Sequence, residues 1–259
     1  MRSIEVKKNK VYLNNKPLYQ RLVLDQGFYP DGIWTAPTDK ALKNDIILSM
    51  KAGFNGARLH EKVFEDRFHY WADKLGYITW AEWGNWGANE NAKGTETAFM
   101  HEWPKIVEHL KNHPSIITWT PFNETNTLEC NSQHKKLMRL AYDITKKIDP
   151  TRPVNETSGY QHQKTDIWTV HHYEPNPDKL MKALNPKKGV YRNFPKFEVS
   201  YKNQPYIIDE YGGAWWLPLN VRDKFFSWGH GDHVRPKSIQ EVYDRMDSLT
   251  EVVLKTKHI

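Results

Sequence analysis

The tripeptide Asn-Glu-Thr occurs twice, at Asn123-Glu124-Thr125 after the apolar run SIITWTPF and at Asn155-Glu156-Thr157 after a proline turn. A third glutamate, Glu210, follows PYIID and precedes Tyr211-Gly212-Gly213. A carboxyl group can donate a proton, accept one, or attack an electrophilic carbon. Glu124 and Glu210 both end strand-like runs. Glu156 follows a weaker run in polar surroundings and reads as a surface or salt-bridged acid. Around these stand other groups with chemistry to offer. Arg58 and His60 are two residues apart, so on a strand they share a face, as do His171 and Tyr173, while His172 points the other way. Glu82 is a third carboxylate at a strand end. It either binds substrate or pairs with Arg58. Asp25 and Gln26 end the first strand and line a prospective pocket. Trp80, Trp83, Trp215 and Trp216 are candidates for stacking on a flat apolar ligand, with core filling as the alternative.

The elements that must position these residues alternate in type. Strand-like runs lie at 17–25, 55–59, 77–83, 115–122, 152–159, 166–174 and 204–213. Between them the apolar spacing predicts helices at 38–53, 61–76, 95–114, 133–149, 176–185 and 238–256. The first has Leu42, Ile46 and Met50 on one face, and the third is interrupted near Pro104. In the last, Ile239, Val242, Tyr243, Met246, Leu249 and Val253 form the apolar face. Strands alternating with helices imply parallel βαβ units. At 259 residues the natural candidate is a single-domain α/β fold over 1–259, a (β/α)8 TIM barrel. A doubly wound sheet is the rival, but LDQGFYPDG lacks the glycine spacing of a dinucleotide loop. In a barrel, residues at C-terminal strand ends share one rim. Glu124 and Glu210 then sit on the same rim, equipped to cleave a glycosidic bond, one donating a proton and the other attacking the anomeric carbon. Seven strands precede the last helix, so the barrel reads as truncated before its eighth strand.

Composition narrows the classes further. The 39% hydrophobic and 26% charged fractions are those of a globular chain. No apolar run approaches the roughly 20 residues of a membrane span. The polar N-terminus MRSIEVKKNKVYLNN lacks a signal-peptide core, so a cytoplasmic location is the default. The single Cys130 rules out an internal disulfide and a cysteine-rich metal site. The net charge of +6 is spread over scattered lysine pairs and not gathered into a nucleic-acid-binding stripe. Eleven Trp, thirteen Tyr and ten Phe suit a cleft that stacks sugar faces.

In the order they occur, LNNKPLYQRLVLDQGFYPDG, GFNGARLHEKV, WADKLGYITWAEW, NHPSIITWTPFNE, DPTRPVNETSG, DIWTVHHYEP and PYIIDEYGG resemble the catalytic domain of glycoside hydrolase family 2. That family includes β-galactosidases, β-glucuronidases and β-mannosidases. The resemblance runs from about residue 10 to the C-terminus. It implies a retaining β-glycosidase without a cofactor, acting on a carbohydrate substrate by double displacement. Glu124 matches the acid/base, Glu210 the nucleophile, and Glu156 a position without proton transfer. Asn123 matches the residue that holds the sugar 2-hydroxyl. Arg58 and Tyr173 match groups that hydrogen-bond the nucleophile, and His60 a histidine near the sugar. His171, Glu82 and Trp215 are further substrate-binding candidates. The family's N-terminal β-domains and its eighth strand are not seen, so further domains or a second chain are expected to complete the barrel. The alternative is a weakly active or inactive sugar-binding fragment of a longer or split enzyme. A second rival, a metal-dependent hydrolase, rests on HGDHV from residue 230 and VHHYE from residue 170, without the paired-histidine spacing of a zinc site.

Overall fold

The computed structural model describes residues 2–125, 131–216 and 235–256. Cys130 and the HGDHV stretch lie outside the described residues, as does most of the 212–236 loop. By contact density the chain divides into two compact units. One comprises Met1–Thr169 with Phe194–Pro205, the other Val170–Asn193 with Tyr206–Ile259.

The first unit opens with an antiparallel meander: β1 (Ile4–Lys7), β2 (Lys10–Leu13) and β3 (Lys16–Pro17). Asn14 and Asn15 join β2 to β3 with φ of 51° and 64°. Two successive positive-φ residues make the hairpin turn that matches strand twist, and asparagine tolerates it. The strand expected at 17–25 is therefore two pieces. Pro17 ends the meander, and the parallel sheet starts only at β4 (Leu22–Asp25).

The sheet continues through β5 (Gly56–Leu59), β6 (Ile78–Glu82) and β7 (Ile116–Thr120), all parallel to their neighbours. Every residue of β5, β6 and β7 is buried, as parallel strands covered on both faces must be. Gly56 lets β5 approach β6 closely. A Cβ there would stand 2.2 Å from the Ile78 carbonyl oxygen. Pro121 offers no N–H to a ladder, so the run past β7 restarts as the short β8 (Phe122–Asn123). The weak run at 152–159 forms only β9 (Thr157–Ser158), parallel to β8, with one bridge from Val154 to Trp119 upstream.

Helices α1 (Asp39–Lys51), α2 (Asp66–Leu75), α3 (Lys93–Leu110) and α4 (Ser132–Ile148) connect these strands. Thr38 and Asn131 cap α1 and α4 by accepting backbone N–H bonds from Ala41 and His134. Three expectations need correction. Met50 is 41% exposed, so only Leu42 and Ile46 carry the buried face of α1. Helix α2 begins five residues later than its apolar spacing suggests, since Lys62 turns aside to bond the Gly27 and Trp34 carbonyls. Helix α3 runs through Pro104 without a break. Phe99, Trp103, Val107 and Leu110 bury its apolar face in the core, which outweighs one missing hydrogen bond.

Strand β10 (Trp168–His172), whose last three residues open the second unit, pairs with β11 (Tyr206–Tyr211), and that unit adds α5 (Pro177–Ala183) and α6 (Ile239–Lys255). Ser238 caps α6. Of the expected apolar face, Leu249 and Val253 are buried, joined by Val252, whereas Ile239, Tyr243 and Met246 are 44%, 61% and 38% exposed. Periodicity identifies the apolar side of a helix but not how much of its length is covered. No described helix is long and apolar enough to cross a membrane.

Candidate active site

In the first unit the ends of β5, β6, β8 and β9 converge on Arg58. Its Nη1 donates to Glu82 Oε1 at 2.7 Å, to Asn123 Oδ1 at 3.2 Å and to Ser158 Oγ at 2.5 Å. The Arg58 and Glu82 side chains are 1% and 0% exposed. Charges buried this deeply need a partner, and each supplies it to the other. Of the two readings open for Glu82, the ion pair with Arg58 is the one observed. Its second oxygen, Oε2, accepts the Glu61 N–H at 3.0 Å.

Glu61 is a member of this cluster that sequence reasoning missed. Its backbone is left-handed, with φ of 55°, a strained choice for a residue with a Cβ. Its Oε2 accepts the backbone N–H groups of Asn85 at 2.6 Å and Trp86 at 3.0 Å. Burial pushes its carboxyl up to about 7, against the pull of those two donors and of the nearby Asn123 side chain. Gly84 makes room for the turn, since a Cβ there would lie 2.9 Å from the Glu61 carbonyl oxygen. Glu61 Oε1 and Asn123 Nδ2 are buried, and neither completes a well-aligned hydrogen bond with a described residue.

Glu124 follows Asn123 directly. Its φ of 43° is again left-handed, and its N–H donates to the Ser158 carbonyl at 3.0 Å. His60 is 4% exposed. Its Nδ1 lies 3.0 Å from Gln26 Nε2, and its ring meets Trp86 edge-on at 6.1 Å. Trp86 is 62% exposed, making it an accessible aromatic face on this rim. Asp25 closes its own turn by accepting the Gly27 N–H at 2.8 Å, and burial raises its carboxyl pKa.

Two of the tryptophans proposed for stacking are core residues instead. Trp80 is fully buried and donates Nε1 to Gln20. Trp83 donates to Glu102 and packs edge-on against Phe99 and Phe122. They flank the strand ends, but their faces are occupied. Glu156, expected as a surface or salt-bridged acid, is fully buried and paired with a histidine. It accepts the N–H groups of Gln163 and Lys164 and contacts His162 Nδ1 at 3.2 Å. Burial alone would lower the His162 pKa, but the charge and hydrogen bond of Glu156 raise it. Glu156 is thus a structural acid with its acceptors already used.

In the second unit, Tyr173 donates its hydroxyl to Glu210 Oε2. His171 Nδ1 is 3.5 Å from the same oxygen, and its Nε2 is 3.4 Å from Asp209 Oδ1. Asp209 is not among the sequence candidates. It directly precedes the expected nucleophile, and nothing in PYIIDEYGG signals that it meets a histidine. His172 turns to Tyr191, with ring centroids 4.5 Å apart, and burial lowers its pKa. The Trp215 ring carries the Arg235 guanidinium 3.0 Å from its centroid, so one face is taken by a cation–π contact.

Residues 4–218 match the TIM barrel domain of the Glycosyl hydrolases family 2. A β-galactosidase of Photobacterium profundum is 30% identical over 179 residues, covering 64% of this chain and 16% of that protein. One from Vibrio vulnificus is 28% identical over 242 residues, covering 87% and 22%. Among solved structures, the β-D-glucuronidase of Dictyoglomus thermophilum matches with a TM-score of 0.78 at 18% identity, over 100% of this chain and 46% of its own. The GH2 β-galacturonidase of Eisenbergiella tayi, bound to galacturonate, matches with a TM-score of 0.71 at 18% identity, over 98% and 45%. At such identity the structural likeness is one of fold. The chain spans 16% and 22% of these two curated relatives and just under half of the two solved chains. The match over residues 4–218 makes the chain a member of glycosyl hydrolase family 2, built on that family's TIM barrel domain.

Proposed function

We propose that this chain carries the reacting groups of a retaining β-glycosidase, with Glu124 as acid/base and Glu210 as nucleophile. In the first step the Glu124 carboxyl gives its proton to the glycosidic oxygen. A Glu210 oxygen bonds the anomeric carbon as the bond to the leaving group breaks. The product is a glycosyl ester on Glu210. In the second step Glu124, now a carboxylate, takes a proton from water as that water attacks the same carbon and expels Glu210. The two inversions give net retention, and the mechanism requires carboxyl groups about 5–5.5 Å apart.

The observation that carries this reading is the Tyr173 hydroxyl bonded to Glu210 Oε2, with His171 beside it. A nucleophile held by a phenol has one oxygen fixed and the other aimed, the preorganisation that catalysis needs. On the acid/base side, the buried network around Arg58 holds Asn123 by its Oδ1, while its Nδ2 lacks a well-aligned acceptor. The Asn123 amide draws on the Glu61 carboxyl instead. Trp86 supplies an exposed aromatic face on the same rim.

The test is hydrolysis of aryl β-galactosides, β-glucuronides and β-galacturonides. Glu210→Ala should abolish turnover and regain it with azide, giving the inverted glycosyl azide. Glu156→Gln should keep most turnover per folded molecule. Equal loss at Glu210 and Glu156, or no azide product, would overturn the assignment.

A further inference from the structure

Two asparagines outside the reacting groups make the same unusual contact. Asn85, in the loop after β6, accepts the Asn123 N–H on Oδ1 at 2.7 Å and donates Nδ2 to the Asn123 carbonyl at 2.9 Å. In the second unit Asn193 does this to His171, accepting its N–H at 3.1 Å and donating to its carbonyl at 2.8 Å. A strand residue presents its N–H and C=O on one edge, where a neighbouring strand normally meets both. A carboxamide carries one donor and one acceptor side by side, so each asparagine replaces one residue of a missing strand neighbour.

The place of each clamp gives it meaning. Asn123 is 1% exposed, and its other edge is already paired with Ser158 of β9. Without Asn85 its inner N–H and C=O would be buried and unmet. The next residue is Glu124, held in a left-handed conformation that a looser Asn123 would let relax. Asn85 is itself fixed. Its N–H goes to Glu61 Oε2 at 2.6 Å, and Nδ2 also reaches Glu90 Oε1 at 3.3 Å. Acceptors on one side and a donor on the other allow only one orientation of the amide. His171, the object of the second clamp, lies beside Glu210 and shares a chain segment with Tyr173, which bonds Glu210.

We propose that Asn85 and Asn193 are positioning residues, one for each carboxylate: Asn85 sets the acid/base Glu124 through Asn123, and Asn193 sets the nucleophile Glu210 through His171 and Tyr173. This rests on the catalytic roles proposed above, and the two clamps have different signatures. A displaced acid hurts only substrates whose leaving group needs a proton. A displaced nucleophile hurts all substrates alike.

The experiment measures kcat/KM for aryl β-glycosides from 2,4-dinitrophenyl to phenyl, with the wild type, Glu124→Ala, Asn85→Ala, the isosteric Asn85→Asp and Asn193→Ala. Asn85→Ala and Asn85→Asp should slow every substrate somewhat through Asn123, which is matched to the 2-hydroxyl contact, and lower the phenyl glycoside rate about 10-fold further than the dinitrophenyl rate, a weaker copy of the leaving-group dependence of Glu124→Ala. Asn193→Ala should lower every substrate by a similar factor. If Glu124→Ala shows no dependence on leaving group, the acid assignment itself fails. If Glu124→Ala shows it but Asn85 variants slow all substrates equally, or none, the Asn85 clamp fails. A leaving-group dependence in Asn193→Ala, or no effect, overturns the second clamp. Amide hydrogen exchange gives a readout that needs no turnover. Asn85→Ala should speed exchange at Asn123 while Glu124, bonded to Ser158, stays protected, and unchanged exchange at Asn123 would overturn the clamp.

Discussion

Arg58 and Glu82 form an ion pair from which solvent is almost wholly excluded, at 1% and 0% exposure. Removing one member leaves the other charged and buried. Arg58→Ala is therefore expected to cost about 3–5 kcal/mol of stability, read as a lower urea midpoint at unchanged slope. Arg58→Met with Glu82→Leu should recover part of that loss while activity stays low, because Asn123 and Ser158 lose their shared donor. Glu61 behaves differently. Its carboxyl is raised to about 7 by burial, above the unfolded value near 4.5. Between those values the folded state holds a proton that the unfolded state has lost. The contribution of Glu61 to stability then falls as pH rises from about 4.5 to 7, by about 1–3 kcal/mol. Glu61→Gln should make the slope of stability against pH more positive in that window, and a slope equal to wild type would contradict the origin assigned to it.

At the scale of elements, the strand ends are only as well placed as the loops that follow them. The loop after β6 carries Gly84, Asn85 and Trp86, and it folds back so that two of its N–H groups meet Glu61 Oε2. Gly84→Ala brings a methyl to 2.9 Å from the Glu61 carbonyl, with backbone rather than a flexible side chain opposing it. The proposed glycosidase activity should drop about 10-fold or more while the thermal midpoint moves little, since β6 itself is unchanged. A loss of stability matching the loss of activity would mean the loop serves the fold alone. Helices were the most legible elements, because an apolar face recurs at a local spacing. The short β8 and β9 were least legible. Pro121 and Pro153 each remove a ladder donor, so these strands exist only because their neighbours hold them.

Across the whole molecule, two buried histidines oppose Glu61 as the pH falls. His69 and His134 are fully buried, and burial lowers each to about 4. The unfolded chain binds their protons near 6.5, so their contribution to stability is lost as pH falls through about 6.5 to 4. His69→Leu should lessen that slope, as measured by urea midpoints from pH 7 to 4, and an unchanged slope would reassign the effect. Taken as a chain, the sequence determined which residues have chemistry to offer: the strand-end glutamates Glu124 and Glu210, together with Arg58 and Asn123, and the alternation of strands and helices behind a parallel α/β architecture. These are local properties, carried by spacing and residue type. Tertiary structure alone decided that Glu82 pairs with Arg58, that Trp80 and Trp83 are core, and that Glu156 is buried and satisfied. It also brought in Glu61, Asn85, Asp209 and Asn193. Burial and hydrogen-bond partnership are set by neighbours distant in the chain, as where Asn85 meets Asn123 across 38 residues, and no local pattern encodes such a meeting.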